Sequence, residues 1–79
     1  MQTLEMLAPG MSARIATIQS DCGRAGRLSS LGFIPGRLVK VIRLAPLGDP
    51  LTAEIDGQQI SLRRSEARLI TLQSGGETS

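Results

Sequence analysis

Cys22 carries the only thiol in the sequence, and no histidine accompanies it. A thiol needs a base or an electropositive neighbour to become a nucleophile, and a zinc or iron site needs several converging ligands. The seven Asp and Glu residues are scattered along the chain, so a metal centre would have to be built from dispersed carboxylates or completed by a second chain. No Ser, His and Asp set can be assembled, no closely spaced carboxylate pair lies in a plausible pocket, and there is no Gly-x-x-x-x-Gly-Lys phosphate loop. The expectation is a protein that is not an enzyme and uses no cofactor, with direct metal binding weak or absent. Cys22, beside Gly23, reads as an ordinary small loop residue, with a ligand role at a dimer contact as the alternative.

What is left is recognition chemistry. Arg24, Arg27, Arg37, Lys40, Arg43, Arg63, Arg64 and Arg68 are most simply solvated charge. A subset grouped by the fold would favour an acidic or phosphate-bearing partner, although the net charge is only +2. Nucleic acid is ordinarily gripped by stacking aromatics as well, and the chain has one Phe, no Trp and no Tyr. Nucleic acid is therefore not the expected partner. An arginine acting in trans on a partner's nucleotide is chemically feasible, but no one arginine stands out. The stretch LAPLGDP, residues 44–50, is different, because Leu44, Pro46 and Leu47 put apolar side chains into what should be a surface loop. Either the loop folds back over the end of the core or it meets another protein. The candidate contact set is Leu44, Pro46 and Leu47 with Arg24, Arg27 and Arg43.

These residues must be positioned by short elements. TLEMLAPG reads as one turn capped by Thr3, with Leu4 and Leu7 on one side and Pro9-Gly10 ending it. In SARIATIQS, Ala13 and Ile15 alternate as in a strand, yet the next large apolar residue is Ile18, an odd step that predicts a bulge or bend. Asp21 can cap a short helix holding Leu28 and Leu31, which Gly32 would end with a positive φ while Phe33 and Ile34 fold back onto it. Pro35-Gly36 then turns the chain into RLVKVIRL, a strand with Val39 and Val41 on one face and Leu38, Lys40, Ile42 and Leu44 on the other. Asp56-Gly57 predicts a two-residue hairpin turn pairing Ile55 with Gln58, Ala53 with Ile60 and Leu51 with Leu62. Ser65 can cap a single helical turn through Ala67, and Ile70 and Leu72 belong to a last short strand facing the core.

With 79 residues the chain is read as one domain over 1–73, followed by a flexible tail at 74–79. A core of that size leaves no room for a large catalytic cleft. One cysteine, no basic leader and no apolar run of about 20 residues together favour a cytoplasmic protein without direct membrane insertion. Five short strands and one short helix after the first predict an all-β (mainly β) fold, a small bent barrel.

The ordered set LAPGMSARIATI, RLSSLGFIPGRLVKVI and GDPLTAEIDGQQISLRRSEARLITL, covering about residues 4–72, resembles the ferrous iron transport protein A family, FeoA. The resemblance implies an SH3-like barrel of about five strands. It also implies a bacterial cytoplasmic accessory to the ferrous-iron transporter FeoB, meeting that transporter's cytoplasmic side where its G-protein domain lies. Leu28, Leu31, Gly32, Pro35, Gly36, Gly48, Asp49, Pro50, Gly57 and Ala67 match the family pattern and also have reasons in the fold, so they mark the barrel and not its contact face. The same barrel occurs as a C-terminal module of iron-dependent repressors, behind DNA-binding and metal-binding domains; a free-standing copy favours the transporter accessory. A general cytosolic adaptor, or a weak nucleic-acid binder, is the reading from another class. Self-association is compatible with the sequence.

Overall fold

The computed structural model describes residues 2–19 and 23–73. The expected cap Asp21, the thiol Cys22 and the 74–79 tail lie outside the described residues. Five strands, β1 (Ser12–Ile18), β2 (Leu38–Leu44), β3 (Leu51–Ile55), β4 (Gln58–Leu62) and β5 (Ile70–Leu72), form one antiparallel sheet. Their order across the sheet is β4-β3-β2-β1-β5. Helix α1 (Arg24–Ser30) follows β1, a one-turn helix α2 (Arg64–Ala67) links β4 to β5, and a 3-10 turn (Leu4–Met6) opens the chain. Leu4, Leu7, Ile15, Leu28, Phe33, Val39 and Val41 join the inner residues of β3, β4 and β5 in one core.

The β3-β4 hairpin has the expected register, Ile55 with Gln58, Ala53 with Ile60 and Leu51 with Leu62. Asp56 at φ 54° and Gly57 at φ 77° give both turn residues the positive φ of a type I′ turn, whose twist matches that of the strands it joins. The irregularity expected in β1 is also present, as a register shift between Ile15 and Thr17 where β1 pairs with β5. It bends the strand and sends Ile18 toward the core, where it packs half-buried.

The corner at residues 28–36 is built from backbone hydrogen bonds. The Phe33 N–H donates to the Leu28 carbonyl at 3.0 Å and the Gly32 N–H to that of Ser29 at 3.0 Å. This Schellman pattern requires a left-handed residue between them, and Gly32 supplies it at φ 109°. Leu28 and Phe33, brought together by the motif, are both fully buried. Ile34 departs from expectation: it is 40% exposed, because the Pro35-Gly36 turn, closed by Arg37 N–H on the Ile34 carbonyl at 3.0 Å, carries the chain outward.

Two further expectations are corrected. Thr3 stands at the start of the first turn without a side-chain cap; its backbone is extended and pairs with Thr71 of β5. Ser65 lies inside α2 and does not cap it. Arg63 occupies the cap position, where its N–H donates to Glu66 Oε1 at 3.1 Å.

Candidate functional site

The loop between β2 and β3 begins with a bulge that the alternation in the sequence conceals. Val41 pairs with Ala53 but Arg43 pairs with Thr52, leaving Ile42 as the extra residue. Parity changes across a bulge. Leu44 therefore moves to the side of its partner Leu51, which is buried, at the mouth of the core, and not to the face shared by Leu38 and Lys40. Arg43 takes the outer face beside Thr52.

Beyond Leu44 the chain makes a tight turn. The Gly48 N–H donates to the Ala45 carbonyl at 2.7 Å, and the Ala45 N–H to the Pro50 carbonyl at 3.0 Å. Pro46 stands at the second position of this turn, where its fixed φ is preorganised, and Gly48 at the fourth. Leu47, third in the turn, is 92% exposed, and Leu44 is 41% exposed. The loop thus does not fold back over the core with its leucine inward. It holds that leucine out on a turn closed at both ends.

Helix α2 anchors the loop. Asp49 Oδ1 accepts the Arg64 N–H at 3.0 Å, satisfying one of the donors that a helix start leaves open. The same helix gathers two other elements. Glu66 pairs with Arg27 of α1, and Glu5 of the 3-10 turn accepts from Arg68 Nε at 3.0 Å and from Arg64 Nη2 at 3.2 Å. The hydrogen bond from Arg68 holds the Glu5 carboxyl below its ordinary 4.5, with the charges of both arginines adding to it and partial burial opposing. Solvent screens the arginine side of each pair, so each adds little stability by itself. Together they fix three segments on one four-residue helix.

Of the six candidate contact residues, the fold places Leu44, Pro46 and Leu47 on one anchored loop. Arg27 is tied to the same helix through Glu66. Arg43 is exposed on the neighbouring outer face, and the Arg24 side chain lies outside the described set. In the sequence Arg64 reads only as solvated charge and Asp49 only as a position of the family pattern, and Glu66 and Glu5 carry no signal by residue type. The hairpin register holds the missing signal: continued two steps past Leu51 and Leu62, it sets Asp49 opposite Arg64.

A shallow depression of about 280 Å³ on the outer sheet face is lined by Leu38, Lys40, Arg37, Glu54 and Asp56, among others. Its two cations are matched by two acids, and Arg37 is paired with Asp56. Among the described residues no three His, Cys, Asp or Glu side chains come together as a metal site, and no helix is long and apolar enough to cross a membrane.

The chain is similar to known proteins in sequence and in fold. Over 70 residues, 89% of this chain, it is 31% identical to an Fe(2+) transport protein A/Fe(2+) transporter FeoB fusion protein of Porphyromonas gingivalis, of which the chain spans 8%. The solution structure of iron(II) transport protein A from Clostridium thermocellum superposes with a TM-score of 0.87 at 36% identity, covering 95% of this chain and 46% of that one. The crystal structure of FeoA from Stenotrophomonas maltophilia, a procaryotic SH3 domain protein complexed with zinc, superposes with a TM-score of 0.84 at 29% identity, covering 94% of this chain and 92% of that one. Five antiparallel strands in this order, together with a match of the FeoA domain family across residues 2–74, establish that the chain belongs to the FeoA domain family and folds as its SH3-like barrel.

Proposed function

We propose that this protein is a non-enzymatic accessory of bacterial ferrous-iron uptake, acting in the cytoplasm by contact with the cytoplasmic region of a FeoB-type transporter. Membership of the FeoA family and the fusion of such a domain to FeoB in the P. gingivalis relative support the pathway and the partner. The observation that carries the contact is Leu47, a large apolar side chain displayed on a turn closed at both ends and fastened to α2. A preorganised apolar tip loses little entropy when a partner covers it, so most of its burial is retained as affinity. Leu44 and Pro46 form the base of the contact, and Arg43, Arg27 and Arg24 contribute favourable charge toward an acidic rim.

Modulation of the transporter requires different affinity for two of its states. Titration calorimetry of the protein against the transporter's cytoplasmic region, with GDP, with a non-hydrolysable GTP analogue and without nucleotide, tests this. Saturable binding that differs between nucleotide states is expected. Equal binding in all three would reduce the role to scaffolding, and no binding in any state would remove the cytoplasmic contact.

A further inference from the structure

The two edges of the sheet are treated differently. β5 is only three residues long, and its outer side is occupied by the N-terminal segment through Leu72 N–H on the Gln2 carbonyl at 2.8 Å and the Thr3–Thr71 bridge. β4 is five residues long and, among the described strands, pairs with β3 alone. Exposed edges are normally blunted by Lys, Pro, a bulge or an inward charge. β4 has none of these: its sequence is Gln-Gln-Ile-Ser-Leu, and its register with β3 is unbroken.

The hairpin fixes which backbone groups are available. In a two-residue type I′ hairpin the residues flanking the turn exchange both hydrogen bonds, and hydrogen-bonded and non-hydrogen-bonded pairs then alternate. Ile55 with Gln58, Ala53 with Ile60 and Leu51 with Leu62 are thus the bonded pairs, and Gln59 and Ser61 turn their N–H and C=O groups away from β3.

We propose that β4 pairs with β4 of a second copy of this chain, antiparallel, about a two-fold axis through Ile60. That register is self-consistent. It sets Gln59 of one copy opposite Ser61 of the other, so both outward-facing residues enter bonded pairs and four interchain hydrogen bonds form from backbone groups that have no partner among the described residues of one copy. Ile60, half-buried in the monomer and packed against the core, meets its own copy at the axis, where side chains of a non-bonded pair approach most closely. Two steps beyond the Gln59–Ser61 pair, Arg63 of each copy falls opposite Gly57, beside Asp56 of the other, an exposed carboxylate that also holds Arg37 of its own chain. A parallel pairing would instead set Arg63 against Arg63 and Asp56 against Asp56. Charge complementarity thus selects the antiparallel two-fold and a second copy as the occupant.

A contact of two five-residue strands buries less than the ~1,200 Å² of a standard interface, so association is weak, with a dissociation constant of about 0.1–1 mM. Amide spectra of the isotope-labelled protein, recorded from about 0.02 to 2 mM to bracket that constant, test the proposal. The expected result is shifts that follow one monomer-dimer isotherm and concentrate in residues 56–63, with hydrogen exchange at Gln59 and Ser61 slowing as concentration rises. Shifts that do not change with concentration, or that centre on residues 44–50, would overturn it. Ser61→Pro removes an N–H that β3 does not use and is tolerated on an edge strand; it should abolish the concentration dependence at unchanged melting temperature. If that variant does not fold, the double variant Gln59→Lys with Ser61→Lys sets like charges across the axis from exposed positions, and retention of the dimer in it would contradict the proposed pairing.

Discussion

Replacing Asp49 by alanine removes the acceptor that ties the 45–50 loop to α2. In the native fold Asp49 Oδ1 receives the Arg64 N–H at 3.0 Å. Loss of a side-chain cap of this kind costs about 0.5–2 kcal/mol. Asp49 is exposed, so water partly replaces the lost acceptor, and a cost of about 1 kcal/mol is expected. In a domain of this size, about 1 kcal/mol lowers the melting temperature by roughly 4–8 °C. Far-ultraviolet circular dichroism is the suitable probe, since the chain has no Trp or Tyr for fluorescence. Asp49→Asn keeps an oxygen acceptor at the same place and should lose less than half as much. An Asp49→Ala protein as stable as the native one, or an Asn variant as destabilised as the Ala variant, would refute the cap. The same substitution should weaken partner binding, because the turn that displays Leu47 loses its anchor while Leu47 remains.

Leu47→Asp should do the opposite: with a side chain 92% exposed, stability should stay within about 0.5 kcal/mol of native, while calorimetric affinity for the transporter's cytoplasmic region falls. Glu5 gives a pH dependence. Its folded-state pKa is depressed by Arg68 and Arg64, so its stabilisation is fully present above the unfolded value, near 4.5, and is lost as pH falls through the lower folded value; Glu5→Gln should flatten the melting temperature against pH in that acidic window and leave the neutral range parallel to native. Gly32→Ala places a side chain at φ 109° and should cost about 1–2 kcal/mol by thermal unfolding. The Ile55 methyl lies 3.8 Å from the added carbon, an ordinary contact, so trimming Ile55 to Val should not rescue it.

The hairpin was legible because two independent signals coincide in a dozen residues: a turn dipeptide that accepts two positive φ angles, and alternation on both sides of it whose register brings the apolar residues together. The corner at 28–36 was legible for a similar reason, since the Leu28, Gly32 and Phe33 spacing is that of a helix end. The bulge in β1 could be read because Ile15 and Ile18 break step. The bulge in β2 could not, because Leu38, Lys40, Ile42 and Leu44 keep perfect alternation in the sequence, and only the pairing with β3 reveals that Ile42 is the extra residue. Tertiary pairing overrides the local pattern there, and it moves Leu44 from the outer face to the mouth of the core.

The caps were misread for one physical reason. Thr3 and Ser65 are residue types that favour helix starts, but type alone does not reveal competition. A strand partner, Thr71, claims the backbone of Thr3, and two carboxylates, Asp49 and Glu66, take the N–H groups at the start of α2. Asp49 lies fifteen positions before Arg64, beyond any helical or turn spacing. The apolar loop was visible from composition alone, whereas its clasp to α2 required the register of a hairpin that the loop precedes.

The most direct test of the contact is a footprint. Unlabelled cytoplasmic region of the FeoB-type transporter, titrated into the isotope-labelled protein below the concentration at which it self-associates, should shift or broaden the amides of residues 44–50 first and α2 next, with the outer face around Leu38 and Glu54 little changed. Perturbations centred on that outer face or on α1, with residues 44–50 unmoved at saturation, would contradict the account.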